Sequence, residues 1–555
     1  MPGAACRPHD SMRLPKSIHS LILESNRPPQ GETMTANEQT ECINPATGEI
    51  IGYSALHSID DLRAMIERSR QAQRQWASTP VAQRARAVLQ IRDGIAQNAD
   101  DIAAIISRDN GKTRTDALAT EVLPAIMAAD YYANNAKRFL EDRILKPGNP
   151  LLANKISKII RVPFGVIGII SPWNYPFAIP FSEVIMGLLA GNGVLLKVAT
   201  ETQMTGRALE RAIKAAQLPP DLFAYVNVPG RLAGDALLEN GIDKLFFTGS
   251  VPVGKKLMAK AAETLTPVSL ELGGNDAMLV CPDADLDRAA AGATWAGFQN
   301  AGQSCGGVER IYVHHEVYDV FLDKLAQRVR ALRVGPDIDF EVDIGAMTTV
   351  SQLRTVQAHV ADALEKGAII FAQSAAVQDD SRFHPAMVLT NVNHDMLVMK
   401  EETFGPVVGV MKVQSMDEAI ALANDSTLGL TGSVWSNNRK QAERIGRRIR
   451  AGAITINDHL MSHGLAETPW GGFKQSGIGR THGEIGFAEM TEPQCIVQDY
   501  LPAVRKNMWW HPHGKSVYDG LRGIIDLLYA KETGRKASGV GQLAKLFPRT
   551  FTNEG

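Results

Sequence analysis

Four short runs of apolar and β-branched residues recur along the first half of the chain: VPFGVIGII (162–170), GVLLKVA (193–199), FAYVNV (223–228) and KLFFTGS (244–250). A helix-like stretch separates each from the next. Continuous apolar runs this short suit strands covered on both faces. Strand–helix alternation specifies a parallel, doubly wound sheet. A second alternating block starts near residue 273, with strands expected at AMLVC (277–281), RIYVH (310–314), AIIF (368–371), VVGVMKV (407–413), GSVWS (432–436) and AITIN (453–457). The expected fold class is therefore α/β with two doubly wound lobes, and the cleft between them is the expected site. Ahead of these, INPATGEIIG (43–52) reads as strand–turn–strand, and residues 60–108 read as helices.

At 555 residues the chain is long enough for two or three domains. A net charge of −2 leaves no overall basic excess to neutralise phosphates, so a nucleic-acid partner is not expected. Five scattered cysteines without CxxC or Cys/His spacing speak against a disulfide framework or a structural metal and for a reducing, cytoplasmic setting. No run approaches the length of a membrane span. The only apolar run of the N-terminus, Ile18 to Leu23, is too short for a signal peptide. Residues 1–40 read as a disordered polar tail, and either Met1 or Met34 could be the start.

Several short segments carry chemistry. FQNAGQSCGG (298–307) sets Cys305 in a Gly-rich turn, where backbone N–H groups would favour a thiolate and hold an oxyanion. A lone cysteine is otherwise a small buried hydrophobe, which is how Cys281 in AMLVCPD reads. VSLELGGND (268–276) puts Glu271 at the end of an apolar strand; a partly desolvated Glu suits a general base, although a salt-bridged Glu would read the same way. SPWNYPF (171–177) is stiffened by two prolines and presents the Asn174 amide in a fixed direction, as an oxyanion donor or a local cap. Lys197 closes a strand with a cation suited to a ribose or phosphate. FTGSVPVG (247–254) is a Gly-rich turn between strand and helix, whose N–H groups and dipole favour a pyrophosphate.

Taken in order, PWNYP, LLKVA, FTGSVPVG, LELGGN, GQSC, EETFGP (401–406) and PWGGFKQSGIGR (469–480) resemble the aldehyde dehydrogenase superfamily over roughly residues 41–500. The resemblance implies an enzyme that oxidises an aldehyde to a carboxylate with NAD or NADP. It puts the nucleophile at Cys305, the general base at Glu271 and the oxyanion amide at Asn174. It lines the cofactor site with Ile170, Ser171, Pro172, Trp173, Lys197, Thr200, Gly230, Gly249, Ser250, Gly254, Leu272, Glu402 and Phe404. Tyr175, Ile179, Ser182 and Ser304 would line the substrate pocket, and no metal is implied. Glu271 favours hydrolysis of a Cys305 thioester over transfer to coenzyme A, because the acyl-CoA-forming branch usually lacks that Glu. A third reading, an inactive binding protein on the same fold, is disfavoured by the intact Cys305, Glu271 and Asn174. Thr200 stands where strictly NAD-dependent relatives often carry a Glu, so the electrostatic bar to NADP is absent although Glu201 is adjacent. Ser182 replaces what is often a bulky aromatic, and Gly306 and Gly307 flank the thiol, so the pocket is expected to be roomy and suited to a hydrophobic aldehyde. No arginine is offered to a substrate carboxylate, which disfavours a dicarboxylic semialdehyde.

The same resemblance implies a cofactor-binding domain over residues 41–140 and 164–272, a catalytic domain over 273–486, and a small β oligomerisation arm from 141–163 and 487–500, hence a homodimer or homotetramer. Residues 501–555 lie beyond it and hold nine Lys and Arg against four acids, a net +5. Val517, Leu521, Ile524, Ile525 and Leu528 share one helical face, with Trp509, Trp510, Tyr518 and Tyr529 nearby. A basic amphipathic helix suits peripheral contact with a membrane surface. Packing on the protein itself or on a second subunit would use the same face.

Overall fold

The computed structural model describes residues 39–375 and 382–552; the expected tail falls almost entirely outside them, and strand Gln39–Ile43 already includes its last two residues. That strand pairs antiparallel with Ile50–Ala55, and three helices follow within residues 59–110. The chain then divides into two compact units, residues 1–139 with 163–492 and residues 140–162 with 493–555.

The first unit holds both α/β lobes. In one, β1 (Val166–Ile170), β2 (Gly193–Lys197), β3 (Phe223–Tyr225), β4 (Lys244–Thr248) and β5 (Val268–Glu271) run parallel. In the other lie β6 (Asp276–Val280), β7 (Val308–His314), β8 (Ile369–Gln373), β9 (Met387–Thr390), β10 (Val407–Val413), β11 (Thr431–Trp435) and β12 (Ala453–Ile456). A short β13 (Gly477–Ile478) closes the first sheet, giving the orders β13-β5-β4-β1-β2-β3 and β8-β9-β10-β7-β6-β11-β12. β8 and β13 run antiparallel at sheet edges, where no crossover helix is needed. Strands β1, β2 and β6 are buried along their whole length, which is why they read as unbroken apolar runs.

In the first sheet Ile170 stands beside Lys197 and Phe247, and Thr248 beside Glu271. The segments singled out for chemistry thus leave the carboxyl ends of neighbouring parallel strands, the edge where open α/β sheets place ligands. Four helices complete the frame: α1 (Leu123–Leu140), α2 (Ala178–Ala190), α3 (Val251–Ala261) and α4 (Leu286–Phe298). α2 is buried at every position and packs beneath β1 and β2, so the Asn174 loop that leads into it is anchored at its exit.

The second unit contains a three-stranded sheet, with Lys155–Pro163 between Arg143–Leu145 and Thr491–Asp499. Its other part is a helical hairpin, Lys515–Tyr529 against Thr533–Leu546. Of the expected apolar face, Val517, Leu521 and Ile524 pack with Met508, Leu543 and Leu546, while Ile525 and Leu528 stay partly exposed. Glycines let the two helices meet backbone to backbone: a Cβ on Gly539 would lie 2.5 Å from the Gly523 carbonyl oxygen.

Candidate active site

Two cavities meet at Cys305. The larger, about 530 Å3, is lined by α1, α4, Tyr175, Ile179, Ser304 and the 457–464 loop. The smaller, about 230 Å3, runs along the carboxyl edge of the first sheet and is lined by Pro172, Trp173, Asn174, Gly249, Ser250, Glu271, Leu272, Glu402 and Phe404. Cys305, Ile179, His463 and Trp470 belong to both. Cys281 and Cys42, by contrast, are sealed in apolar surroundings, and burial pushes each thiol up to about 12.

Cys305 follows α4 through a turn in which Asn300 and Ala301 both adopt positive φ, near 52° and 55°. Left-handed backbone at two non-glycine residues is costly and marks a segment held by its surroundings. The holding bonds are visible: Asn300 Nδ2 donates to the carbonyls of Asn174 (2.9 Å) and Gln303 (3.1 Å), and its N–H donates to buried Asp116 (3.1 Å). The Gly-rich turn does not lower the thiol as expected from the sequence. Burial, then the carboxylates of Glu271, Glu402 and Asp276, push Cys305 well above its ordinary value, and the Gly306 N–H opposes them only in part.

Glu271 ends β5, buried between the β13 edge and Trp470. Burial raises its carboxyl to about 8, against a hydrogen bond from Trp470 and the charge of Arg480. Asn174 is placed by its backbone: its carbonyl accepts from Lys112 Nζ (2.8 Å) and Asn300, while its Nδ2 donates to the Gln303 carbonyl (3.1 Å) and keeps a second N–H. Lys112 also pairs with Glu121 at 2.7 Å, both side chains fully buried, and Glu121 accepts the N–H groups of Phe177 (2.7 Å) and Ala178 (3.2 Å). One buried ion pair therefore holds the Asn174 loop at its middle and at its exit into α2.

The smaller cavity has the features a dinucleotide requires. Ser250 caps α3 without using its side chain, so first-turn N–H groups face the cleft. A Cβ on Gly254 would lie 2.7 Å from the Leu272 side chain, so that side chain would have to move to admit one. Lys197 is buried at the end of β2, with its Nζ 3.5 Å from the Cβ position of Gly230. Glu402 accepts the Gly274 N–H at 3.0 Å beside Gly273, and Phe404 (φ 51°) packs edge-on against Trp173 at 5.4 Å. Thr200 sits exposed on the turn after β2. Ile170 and Ser171, at the end of β1, are not among the lining residues of this cavity; the Ser171 N–H donates to the Lys197 carbonyl at 3.0 Å.

The sequence profile of the Aldehyde dehydrogenase family matches residues 33–496. The chain belongs to the aldehyde dehydrogenase family. It is 36% identical over 493 residues to the 4,4'-diapolycopene aldehyde oxidase of a Methylomonas species, covering 88% of this chain and 91% of that one. It is 38% identical over 468 residues, 84% and 90% of the two chains, to a Mycolicibacterium smegmatis protein provisionally named succinate-semialdehyde dehydrogenase [NADP(+)]. The NAD+ complex of a Bacillus cereus aldehyde dehydrogenase superposes with a TM-score of 0.78 at 30% identity over 83% of this chain and 93% of that one. The protein is an oxidoreductase that uses NAD or NADP to oxidise an aldehyde to the acid.

Several residues of this aldehyde dehydrogenase stand differently from the sequence reading. Ser182, on α2 between Ile179 and Glu183, is buried and is not among the residues that line either cavity. Glu183 was not anticipated; its carboxyl is buried in the smaller cavity, its Oε2 has no hydrogen-bond partner, and burial plus the charge of Glu271 push it up to about 8. The expected absence of an arginine also fails, because Arg288 reaches the mouth of the larger cavity. His463 and His482 were missed as well. Burial holds His463 at about 4, so it presents a neutral ring against Trp470 at 4.9 Å.

Proposed function

We propose that this dehydrogenase oxidises hydrophobic aldehydes through a Cys305 thioester that water hydrolyses with Glu271 as general base. The observation that carries this reading is the place of Cys305, the thiol common to both cavities, with Glu271 on the smaller and an apolar wall on the larger. In the proposed sequence the Cys305 thiolate attacks the aldehyde carbon, and the second N–H of Asn174 with the Cys305 backbone N–H hold the oxyanion. NAD or NADP, held by the residues named below, would supply the hydride acceptor whose use leaves the acyl group as a thioester on Cys305. Glu271 then takes a proton from water as that water attacks the thioester carbon, releasing the acid and the Cys305 thiol. Glu402 and Phe404 would hold the nicotinamide ribose and ring, Gly249, Ser250 and Gly254 the pyrophosphate, and Lys197 with Gly230 the adenosine ribose.

Hydrophobic specificity is supported by Leu123, Met127, Trp295, Leu460 and Met461 along the larger cavity, four of them also part-exposed at its mouth. A panel of straight-chain aldehydes with NAD and NADP tests it. kcat/KM is expected to rise with chain length up to about eight to twelve carbons, at close to a few-fold per added pair of methylenes. A preference for two- or three-carbon aldehydes would overturn it.

Thr200 bears on cofactor choice. Thr200→Glu is expected to weaken use of NADP by about a hundredfold while changing NAD use only a few-fold, because it sets a carboxylate beside the 2′-phosphate. Steady-state KM values for the two cofactors check this, and equal losses would place the adenosine elsewhere.

The strand Thr491–Asp499 lies at a sheet edge in the second unit and is exposed along most of its length, which supports sheet extension between subunits in a homodimer or homotetramer. Among the described residues no helix is long and apolar enough to cross a membrane. The exposed Trp510, Tyr518 and Tyr529 of the basic hairpin support peripheral contact with an anionic membrane surface from a cytoplasmic protein.

A further inference from the structure

We propose that the larger cavity and a cationic cleft at its mouth form one binding site for a long apolar aldehyde that carries a carboxylate at its far end. The inference rests on the assignment of the larger cavity to the aldehyde. α4 crosses that cavity from mouth to thiol and lines it with Arg288, Ala291, Gly292, Trp295 and, at its end, Gln299. The spacing of three, four, seven and eleven residues is one continuous helical face. Thr120, Leu123, Pro124 and Met127 repeat the same spacing on the opposite wall, along the start of α1 and the turn before it.

The helix is therefore a ruler. From Arg288 to Gln299 is eleven residues (299 − 288), or roughly 16 Å at 1.5 Å per residue. A zigzag hydrocarbon advances roughly 1.25 Å per carbon, given 1.5 Å bonds and near-tetrahedral angles. An aldehyde held at Cys305 thus brings about its twelfth or thirteenth carbon to Arg288.

At that distance the wall changes character. Arg288 and Asn457 line both the apolar cavity and a second cleft, which adds Arg439, Lys440, Glu443 and Ile456. Glu443 is engaged by Arg447 at 2.6 and 3.0 Å, so its charge is turned to another partner. Arg288, Arg439 and Lys440 form no ion pair among the described residues. Asp458, beside Arg288, is the acid that faces this group from the cavity side, and its carboxylate is engaged by the N–H groups of Met461 and His459. Three cations against Asp458 and the Arg447-paired Glu443 leave a net positive rim at the end of the apolar passage. A guanidinium there suits a carboxylate by paired N–H donation.

Short dicarboxylic semialdehydes do not satisfy this arrangement, since their carboxylate would stop beside Trp295, Leu460 and Met461 and fall short of Arg288. The test compares 12-oxododecanoate with dodecanal, at equal chain length, for wild type and for Arg288→Gln/Arg439→Gln/Lys440→Gln. The wild type is expected to favour the oxo-acid in kcat/KM by roughly five- to tenfold at low salt, with the preference shrinking as salt screens the rim. The triple variant is expected to bring the ratio close to one. A wild-type ratio at or below one, or a variant that loses both substrates equally and keeps the ratio, overturns the inference. Failure of the wild type to oxidise either twelve-carbon aldehyde, with good activity on short ones, would instead overturn the hydrophobic-aldehyde reading.

Discussion

Cys305→Ala is expected to give a folded protein that binds NAD and NADP and turns over aldehyde at least about a thousandfold more slowly. The loss is large because, among the described residues, the covalent step has no second thiol within reach: Cys281 and Cys42 are buried away from both cavities, and beside Ser304 the Tyr175 hydroxyl and Gln299 amide are bonded to each other. Folding is spared because the sulfur projects into cavity space and the turn is held by Asn300 and Asn174. Cofactor fluorescence titration and a melting temperature within a few degrees of wild type would accompany the loss of turnover. Turnover above a few per cent of wild type would show that the nucleophile lies elsewhere.

Glu271→Gln is expected to separate the two halves of the reaction. Gln cannot take a proton from water, so steady turnover falls by roughly a hundred- to ten-thousandfold while a burst of reduced cofactor, one per active site, persists. The pH dependence follows from the same residue. Burial holds the Glu271 carboxyl at about 8, and only its ionised form is a base, so wild-type thioester hydrolysis rises with pH through about 8 and levels off above it. The Gln variant is expected to lose that rise. Disappearance of the burst itself would mean that Glu271 also removes the Cys305 proton.

Strands β1, β2, β6 and β11 were legible because they are covered on two faces and so read as unbroken apolar runs. β9 and the arm strand Lys155–Pro163 carry no such run: the first is four residues long, and the second, half-buried with lysines and arginine interleaved, was expected only through the family resemblance. The hairpin's second helix was missed for a related reason. Its contact with the first is made by glycines, which bury backbone and leave no apolar stripe to read. Within the site, residue types and motif order located Cys305, Glu271 and the Gly-rich turn at strand ends. The state of the thiol was not legible, because it depends on Glu402 and Asp276, carboxylates that only the fold brings near. Arg288 was not legible because it lies about three turns of α4 from the thiol end of the cavity, a distance that sequence adjacency does not reveal.

The buried pair of Lys112 and Glu121 has a consequence for how relatives of this chain can diverge. Removing one charge strands the other without water, at a cost of about 3–5 kcal/mol, and also releases the Asn174 loop; an apolar pair of similar volume could be tolerated in stability. Single steps away from Lys–Glu therefore cross a valley, whereas the double replacement need not. The two positions are entrenched together, and descent through point changes would preserve them as a couple long after the surrounding helices had drifted.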